Sequence, residues 1–293
     1  MHGVKVMFKE ILETAYTVDD FPKSAVVACQ GTDGAYSGIA CKKAFENSQI
    51  IYFNSFEAVF RAVDTGLCEY GVLPIENSSN GSVSQVYDLM KRHNFYIVRG
   101  IKLAVNHNLL MNSGGTKDNI KEIISHEQAL GQCSGFIEST KGVKVTLCVN
   151  TAVAARTVAE SGRIDMAAIS SFECAEYYGL KTLSREICNE AHNYTRFICI
   201  SKTLKIFAGA EKIGVMLILA HKPGALVSVL SKISEHGFNL TKLESRPLSG
   251  REFEFMFYFD IETNGEDISS LLDELERASE LLIFLGHYSE IYG

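Results

Sequence analysis

Thr195 and Arg196 are the adjacent residues of this chain best suited to chemistry. They lie where an irregular polar segment, residues 188–193, runs into the apolar run 197–200, whose composition is typical of a strand. Arg196 offers a rigid fork of donors that suits a carboxylate, and Thr195 offers one hydroxyl on a stiff, β-branched side chain. An isolated pair of this kind is usually a surface feature, so its meaning depends on the elements around it.

Three polar sequences typical of helix N-termini are candidates to lie near that pair. Ser125-x-x-Gln128 has the form of a capping box, as does the segment 82–85, and Asn150-Thr151 is a third candidate cap. The free N–H groups and the dipole of a helix N-terminus attract anions. A single cap more often only starts a helix. Several caps that face one cleft would bind a small polycarboxylate without a basic patch.

The chain alternates short apolar strands with helical segments over residues 25–111, and the alternation restarts over residues 122–178. This order predicts parallel sheets with helices on their faces, arranged as two successive α/β lobes. Residues 95–111 would lead out of the first lobe, and residues 189–200 would return to it. We expect the ligand in the cleft between the lobes, because ligands of open α/β sheets bind outside the carboxyl ends of the strands.

Residues 212–293 are predicted to form a separate module after a linker at 204–211. Their βαββαβ order predicts an α+β ferredoxin-like sandwich whose sheet carries helices on one face. A turn at 249–252 would join its second and third strands. At the other end of the chain, residues 4–15 predict an isolated amphipathic helix with no evident place in the core.

The composition is ordinary for a globular protein, and the features below lead us to expect a cytoplasmic location. A net charge of −7 argues against a general binder of nucleic acids or membrane surfaces. No apolar run approaches the roughly 20 residues of a membrane span, and the N-terminus lacks a signal-peptide core. The cysteines form no C-x-x-C motif and the histidines are scattered, which predicts buried thiols and no metal site.

Several motifs together resemble the prephenate dehydratase family from about residue 25 to the C-terminus. The segment 178–200 matches the signature spacing of the family, with Tyr178-x-Leu180, Leu183, Asn189 and Thr195-Arg196-Phe197-Ile198-x-Ile200. The loop Pro74-Ile75-Glu76-Asn77-Ser78 is similar to the central loop of the family, although Asn80 stands where a glutamate is more usual.

Two further segments carry the resemblance with substitutions. Ser125-His126-x-Gln128 is similar to another family block, although Glu127 replaces the usual proline. The glycine loop at 31–37 is a weaker version of the first family loop. A lone histidine beside a helix start, such as His126, is more often a cap or a packing residue than a catalyst.

The C-terminal module resembles the regulatory ACT domain of the same family. The carrying segments are Gly224-Ala225-Leu226-Val227, which would open the first helix of the module, and the eight residues from Leu240 to Pro247. The resemblance implies an effector site at Gly224, Ala225, Leu226, Val227, Glu244 and Ser245. Free N–H groups would bind the carboxylate of an amino acid, and carbonyls near Glu244 and Ser245 would accept from its ammonium group.

The resemblance also implies the fold and the domain boundaries. A helical extension at 1–24 would precede a two-lobed, periplasmic-binding-protein-like α/β catalytic domain at 25–203. Its lobes would comprise about 25–100 with 190–203, and 101–189. An ACT domain of ferredoxin-like topology would follow at 212–293, in a dimer or tetramer, because such modules usually pair side by side.

The implied activity is that of a carbon–oxygen lyase, which converts prephenate to phenylpyruvate, carbon dioxide and water in L-phenylalanine biosynthesis. Feedback by phenylalanine is expected, and no metal or organic cofactor is needed. The expected catalytic residues are Thr195, as an oriented donor to the leaving hydroxyl, and Glu76, if burial raises its pKa. The expected substrate contacts are Asn77, Ser78, Ser125, Gln128, Thr151 and Arg196.

Two other functions stay open from the sequence. Arogenate, the aminated analogue of prephenate, would use the same residues. A non-catalytic amino-acid sensor is a different class, because two α/β lobes around a cleft also describe solute-binding receptors. The intact Thr195-Arg196-Phe197 motif argues against the sensor.

Overall fold

Two α/β lobes and a ferredoxin-like module make up the computed structural model, which confirms the fold class expected from the sequence. The structure describes residues 8–16, 19–190, 192–248, 254–264 and 267–293. Two expectations therefore lie outside the described residues: the helical start at 4–7 and the turn at 249–252. Within the described residues, no helix is long and apolar enough to cross a membrane.

The first lobe follows a single N-terminal helix, and its parallel strands β1, β2 and β3 carry helices between them. The elements are α1 (Phe8–Ala15), β1 (Ser24–Gln30), α2 (Tyr36–Ala44), β2 (Asn47–Phe53), α3 (Phe56–Asp64), β3 (Tyr70–Asn77), β4 (Gly81–Ser82), α4 (Ser84–Met90) and β5 (Tyr96–Ala104). The side chain of Ser55 caps α3 by accepting from the backbone N–H of Ala58 at 3.2 Å.

The second lobe is a five-stranded sheet in the order β10-β6-β9-β7-β8. Its elements are β6 (Asn108–Met111), β7 (Glu122–Ser125), α5 (Glu127–Gln132), α6 (Ser134–Ser139), β8 (Lys144–Leu147), α7 (Thr151–Ser161), β9 (Met166–Ser170), α8 (Phe172–Tyr178) and β10 (Lys181–Ser184). The chain then returns to the first lobe as β11 (Tyr194–Ser201), which runs antiparallel between β3 and β5.

The segment 95–111, expected as one extended region, is divided between the lobes. β5 belongs to the first sheet and β6 to the second, with a break at residues 105–107. The break and the segment that leads from β10 to β11 are the two crossings between the lobes. The backbone N–H of Val105 donates to the carbonyl of Asn193 at 2.8 Å, so the crossings are hydrogen-bonded to each other.

The C-terminal module has the expected βαββαβ order and the sheet order β13-β14-β12-β15. Its elements are β12 (Lys212–Ile218), α9 (Ala225–Glu235), β13 (Asn239–Pro247), β14 (Phe255–Glu262), α10 (Ser269–Ala278) and β15 (Leu281–Tyr292). Apolar side chains of α9 and α10 pack on one face of this sheet around the buried Val229, Leu272 and Phe259.

The N-terminal helix packs on this module, a placement that the sequence did not predict. Leu12 of α1 is buried in the same apolar cluster as Leu272 of α10, and the rings of Phe8 and Phe284 lie 6.2 Å apart, edge to face. The apolar face of α1 therefore packs against the C-terminal module.

The sheets of the first lobe and the C-terminal module are continuous. β15 extends to Tyr292, beyond the end at residue 287 expected from the sequence. Its last residues, Ser289 to Tyr292, pair in parallel with β5. Gly286 allows the two strands to cross closely: its φ is +144°, and an added Cβ would lie 2.2 Å from the carbonyl oxygen of Ile97. The C-terminal strand is thus a structural member of the first-lobe sheet.

We expect Gly286→Ala to lower the free energy of unfolding by about 3 kcal/mol, near the upper end of the usual cost of overpacking, because the obstacle is main chain that cannot rotate away. Urea denaturation measures this change. Gly131→Ala is the matched control, since open space surrounds that position in α5 and the change is expected to be neutral or stabilising by up to about 1 kcal/mol. Equal effects of the two substitutions would contradict the close crossing.

Candidate active site

The end of β3 and the start of β11 position the central residues of the site. These two antiparallel strands pair Asn77 with Thr195 and Glu76 with Arg196. Successive side chains of a strand point to opposite faces. Each strand therefore contributes one side chain to the cleft side of the sheet and the next to the side that the C-terminal module covers.

The hydroxyl of Thr195 has a defined hydrogen-bond direction. The side-chain amide of Asn77 donates from Nδ2 to Thr195 Oγ1 at 3.0 Å and to Asn193 Oδ1 at 2.8 Å. Asn77 Oδ1 accepts from the backbone N–H groups of Ser79 and Asn80, which fixes the amide orientation. Because Thr195 Oγ1 accepts from Asn77, its own proton is available for donation to a ligand.

Further hydrogen bonds continue from this pair into the second lobe. Asn193 Nδ2 donates to Gln132 Oε1 at 3.0 Å, and the same oxygen lies 3.0 Å from His107 Nε2. Burial lowers the pKa of His107, so the ring is neutral near pH 7. Because Gln132 Oε1 can only accept, the ring donates to it from Nε2. The other ring nitrogen faces the hydroxyl of Tyr36 at 3.3 Å. A continuous set of polar side chains thus joins both lobes behind Thr195.

A cavity of about 290 Å³ opens beside this set, between the lobes. It is lined by Ser79, Asn80, Gln128, Gly131, Gln132, Cys188, Asn189, Glu190 and Asn193. Asn193 links the cavity wall to Thr195 through the shared Asn77 amide. Among the described residues, no group of three or more His, Cys, Asp or Glu is placed to hold a metal ion. The lining is rich in neutral amides, which can bind carboxylate and carbonyl oxygens.

Ser78 and Gln128 lie at the edges of this region. The hydroxyl of Ser78 accepts from the backbone N–H of Tyr194 at 2.9 Å, which ties the β3–β4 loop to the start of β11. Gln128 lines the cavity, and its backbone N–H donates to the ring of His126 at 3.3 Å. His126 is therefore a helix cap, as its sequence position favours.

Two expected substrate contacts do not face the cavity. Ser125 is fully buried, and its hydroxyl donates to the carbonyl of Ile169 at 2.6 Å, so it serves the pairing region of β7 and β9. Thr151 opens α7, and its carbonyl accepts from Ser170 at 2.9 Å, while the neighbouring Asn150 caps the helix. The capping pattern is confirmed at Asn150. It is wrong at Ser125, because His126 caps α5, and at Ser82, because α4 begins after Val83 without a side-chain cap.

Arg196 is also turned away from the cavity, contrary to its expected role in substrate binding. Its guanidinium forms ion pairs with Asp260 of β14 and Glu290 of β15. Lys212 of β12 donates to the second oxygen of Glu290 at 2.8 Å. Burial alone would lower the pKa of Arg196, but Tyr288, Asp260 and Glu290 raise it above its usual value. The arginine is thus a buried cation between two domains.

Glu76 likewise faces the C-terminal module, which places it outside the catalytic role expected from the sequence. Its carboxylate accepts from Lys242 Nζ of β13 at 2.6 Å. The alternation along β3 that turns Asn77 to the cleft turns Glu76 to the other face.

Only some of the expected effector residues lie around one cavity of the C-terminal module. Gly224 caps α9 with a φ of +83°, and Ala225 and Leu226 line a cavity of about 350 Å³ with Phe255 and Phe257. Val227 is 64% exposed and points outward. The carboxylate of Glu244 accepts from Ser82 of the first lobe at 2.7 Å. The side chain of Ser245 lies on the opposite face of β13 by strand alternation.

Comparison with known families and proteins agrees with this architecture. The family model described as prephenate dehydratase matches residues 27–205, more than half of the chain, and the ACT domain model matches residues 215–280. The chain belongs to the prephenate dehydratase family. This confirms the resemblance drawn from the motifs.

Curated relatives of the family cover most of the chain. A prephenate dehydratase of Methanocaldococcus jannaschii is 39% identical over 264 residues, which are 87% of this chain and 94% of the relative. Arogenate dehydratase/prephenate dehydratase 1, chloroplastic, of Arabidopsis thaliana is 35% identical over 291 residues, 93% of this chain and 74% of the relative.

Solved structures share the fold over nearly the whole chain. A prephenate dehydratase from Arthrobacter aurescens in complex with L-Phe has a TM-score of 0.80 and 26% identity, with 90% of each chain covered. A protein described as a novel type of quorum quenching acylase, GqqA, has a TM-score of 0.82 and 31% identity and covers 91% of this chain and 98% of its own.

Sequence reasoning missed Gln132, Asn193 and His107 as members of the site. Gln132 lies four residues after Gln128, so both share one face of α5. Asn193 is two residues before Thr195 in the motif, and its alternation with Thr195 was a usable signal. His107 gives no local signal, because its partners belong to distant segments.

We expect Arg196→Met to destabilise the protein by about 3–5 kcal/mol, because Asp260 and Glu290 would keep buried charge without this cation. The free energy of unfolding from urea denaturation measures the loss. Arg156→Met is the matched control, since Arg156 pairs with Glu160 at 3.9 Å on an exposed helix face and its removal should cost less than about 1 kcal/mol. Unchanged stability together with a raised KM would return Arg196 to the role of a substrate contact.

Proposed function

We propose that the protein catalyses the decarboxylating dehydration of prephenate to phenylpyruvate, with Thr195 as the donor to the departing hydroxyl. One observation carries the residue assignment. Thr195 Oγ1 accepts from Asn77, which leaves its own proton for donation to a ligand, and the same Asn77 amide bonds Asn193 of the wall of the polar cavity. Membership of the prephenate dehydratase family supports the reaction class.

The reaction needs orientation more than a strong acid. As the ring–carboxylate bond breaks, carbon dioxide leaves and the bonding electrons enter the ring. The C–O bond to the hydroxyl breaks, and the departing hydroxide takes up one proton, supplied in the end by solvent, and leaves as water. The ring becomes aromatic, which makes the step strongly downhill. A threonine hydroxyl is a weak acid, so its contribution is a positioned hydrogen bond that strengthens as charge grows on the leaving oxygen.

The amide side chains of the cavity suit the rest of the substrate. Gln128 lines the wall, and its side-chain amide can donate to carboxylate or keto oxygens. The amide of Asn189 lines the same wall, but it donates to the carbonyl of Gly131 and the hydroxyl of Ser134, so it shapes the cavity. Asn77 and Ser78 hold the loop that borders them. Ser125 and Arg196 are not proposed as substrate contacts, because their side chains bond elsewhere. Thr151 is not proposed because it does not line this cavity.

Thr195→Ala should lower kcat by about 10² to 10⁴, the usual worth of positioned acid catalysis, while the fold is retained. Thr195→Ser is the matched control, because it keeps a hydroxyl within reach of Asn77 and should retain most of the rate. Single-turnover measurement of phenylpyruvate formation gives the comparison. An alanine variant within about threefold of the parent would remove Thr195 from the mechanism.

The same assay separates the alternatives. Arogenate differs from prephenate by an ammonium group in place of the keto oxygen, and relatives named for either substrate match this chain. Higher kcat/KM with arogenate than with prephenate would reassign the substrate. No turnover of either compound by purified protein would favour an amino-acid sensor.

We further propose that L-phenylalanine inhibits the enzyme at the start of α9. The ACT domain and the fold shared with a prephenate dehydratase solved with L-Phe support an amino-acid effector. N–H groups in the first turn of α9 can bind a carboxylate, while Leu226 and Phe257 offer an apolar wall. We also propose that the protein forms a dimer or tetramer and lies in the cytoplasm, as expected from the sequence.

Gly224→Val should abolish inhibition by phenylalanine while kcat without effector stays within a few-fold. A β-branched residue at a φ of +83° strains the turn that opens α9 and narrows the approach to its N–H groups. Gly162→Val, at a φ of +62° after α7 in open space, controls for strain alone. Calorimetry should show no phenylalanine binding by the Gly224 variant, and undiminished inhibition would place the effector elsewhere.

A further inference from the structure

Three polar side chains on one face of β13 attach the C-terminal module to the catalytic lobe. Lys242, Glu244 and Arg246 alternate with exposed residues along this strand. Arg246 forms a bidentate pair with Asp88 of α4, at 3.1 and 2.7 Å, and Glu244 accepts from Ser82. The strand that resembles an effector-binding segment thus also contacts the catalytic lobe.

Lys242 makes the contact nearest to the catalytic residues. Its Nζ donates to Glu76 Oε1 at 2.6 Å and to Ser82 Oγ at 2.8 Å. These two partners face each other across the β3–β4 hairpin. One ammonium group therefore holds both strands of that hairpin, and the second carboxylate beside it, Glu244, lies 3.8 Å away.

The hairpin held by Lys242 carries the amide that orients Thr195. Asn77 directly follows Glu76, and its Nδ2 donates to Thr195 Oγ1. The strand pairing sets Asn77 opposite Thr195, so a shift of the hairpin relative to β11 would change this hydrogen bond. Lys242 is thus connected to the Thr195 hydroxyl through Glu76 and Asn77, and it does not line the cavity.

The environment makes this ion pair more than a surface contact. The side chain of Lys242 is 13% exposed and that of Glu76 is 32% exposed, so water screens their attraction only in part. An ordinary exposed pair contributes less than about 1 kcal/mol. Because this pair is partly buried and lies between two domains, it can fix the position of the C-terminal module relative to the first lobe.

We propose that Lys242 is a positioning residue for the dehydration, which holds the β3–β4 hairpin so that Asn77 directs the Thr195 hydroxyl, and which links the amino-acid-binding module to the catalytic lobe. This inference rests on the proposed function for its kinetic part. Its physical basis is the shared strand: a ligand that shifts β13 must also shift Lys242.

The test compares Lys242→Met with Lys232→Met in the full-length protein. Lys232 forms a similar partly buried pair with Glu274 at 3.1 Å, but both residues belong to the C-terminal module and lie on its helices. Lys242→Met should lower kcat by about 10- to 100-fold, as expected for a misplaced catalytic group, with KM within about threefold. Lys232→Met should leave both parameters within twofold.

Two further measurements separate positioning from a general loss of stability. In the Thr195→Ala background, Lys242→Met should lower kcat by less than threefold more, because the hydroxyl that Lys242 helps to position is already absent. Lys242→Arg, which keeps a charged donor, should recover most of the lost rate. Additive losses in the double variant, or a kcat of Lys242→Met within twofold of the parent, would overturn the proposal.

Hydrogen–deuterium exchange provides a test that needs no substrate. Peptides that cover residues 74–84 should exchange faster in Lys242→Met than in the parent, and Lys232→Met should leave their exchange unchanged. Unaltered exchange in Lys242→Met would show that the hairpin does not depend on this contact. If the parent failed to turn over prephenate, the proposed function would fall, while the exchange result would still decide whether Lys242 holds the hairpin.

Discussion

A buried guanidinium holds the two domains of this protein together. Arg196 lies on β11, in the middle of the catalytic sheet, and its charge is compensated by Asp260 and Glu290 from the C-terminal module. A charge without water requires such partners, since the cost of its burial is otherwise prohibitive. Lys212 completes the set by pairing with Glu290. The strand that carries Thr195 is therefore held by charges that belong to both domains.

Because successive side chains of a strand point to opposite faces, β3 and β11 each direct one residue to the cleft and the next to the C-terminal module. Thr195 and Asn77 face the cleft, while Arg196 and Glu76 face the C-terminal module. Adjacent residues of one motif consequently serve different purposes, one in chemistry and one in the attachment of a domain. The attachment continues in β15, whose end pairs with β5 in the same sheet. Movement within the module can reach the catalytic strand without crossing a flexible linker.

Patterns that depend on near neighbours in the chain were predictable. The alternation of strands and helices, the βαββαβ order and the cap at Asn150 all follow from local periodicity and side-chain type, and the structure contains them. The docking of α1 and the extension of β15 were not predictable, because an amphipathic helix or a strand end of mixed polarity does not specify which distant surface it contacts. The hydrogen-bonded set behind Thr195 was predicted only in part, since His107 and Gln132 come from separate segments.

The sequence by itself determined the family and the two kinds of domain, because these depend on motifs and on local pattern. The pairing of Thr195 with Asn77 was decided by the tertiary structure. Only the tertiary structure decided which way each polar side chain points. The hydroxyl of Ser125 donates to a backbone carbonyl inside its sheet, and Arg196 pairs with two carboxylates. Glu76 pairs with a lysine 166 residues away along the chain. The physical reason is that burial and charge pairing are properties of the surfaces that meet, and the chain brings those surfaces together only when it folds.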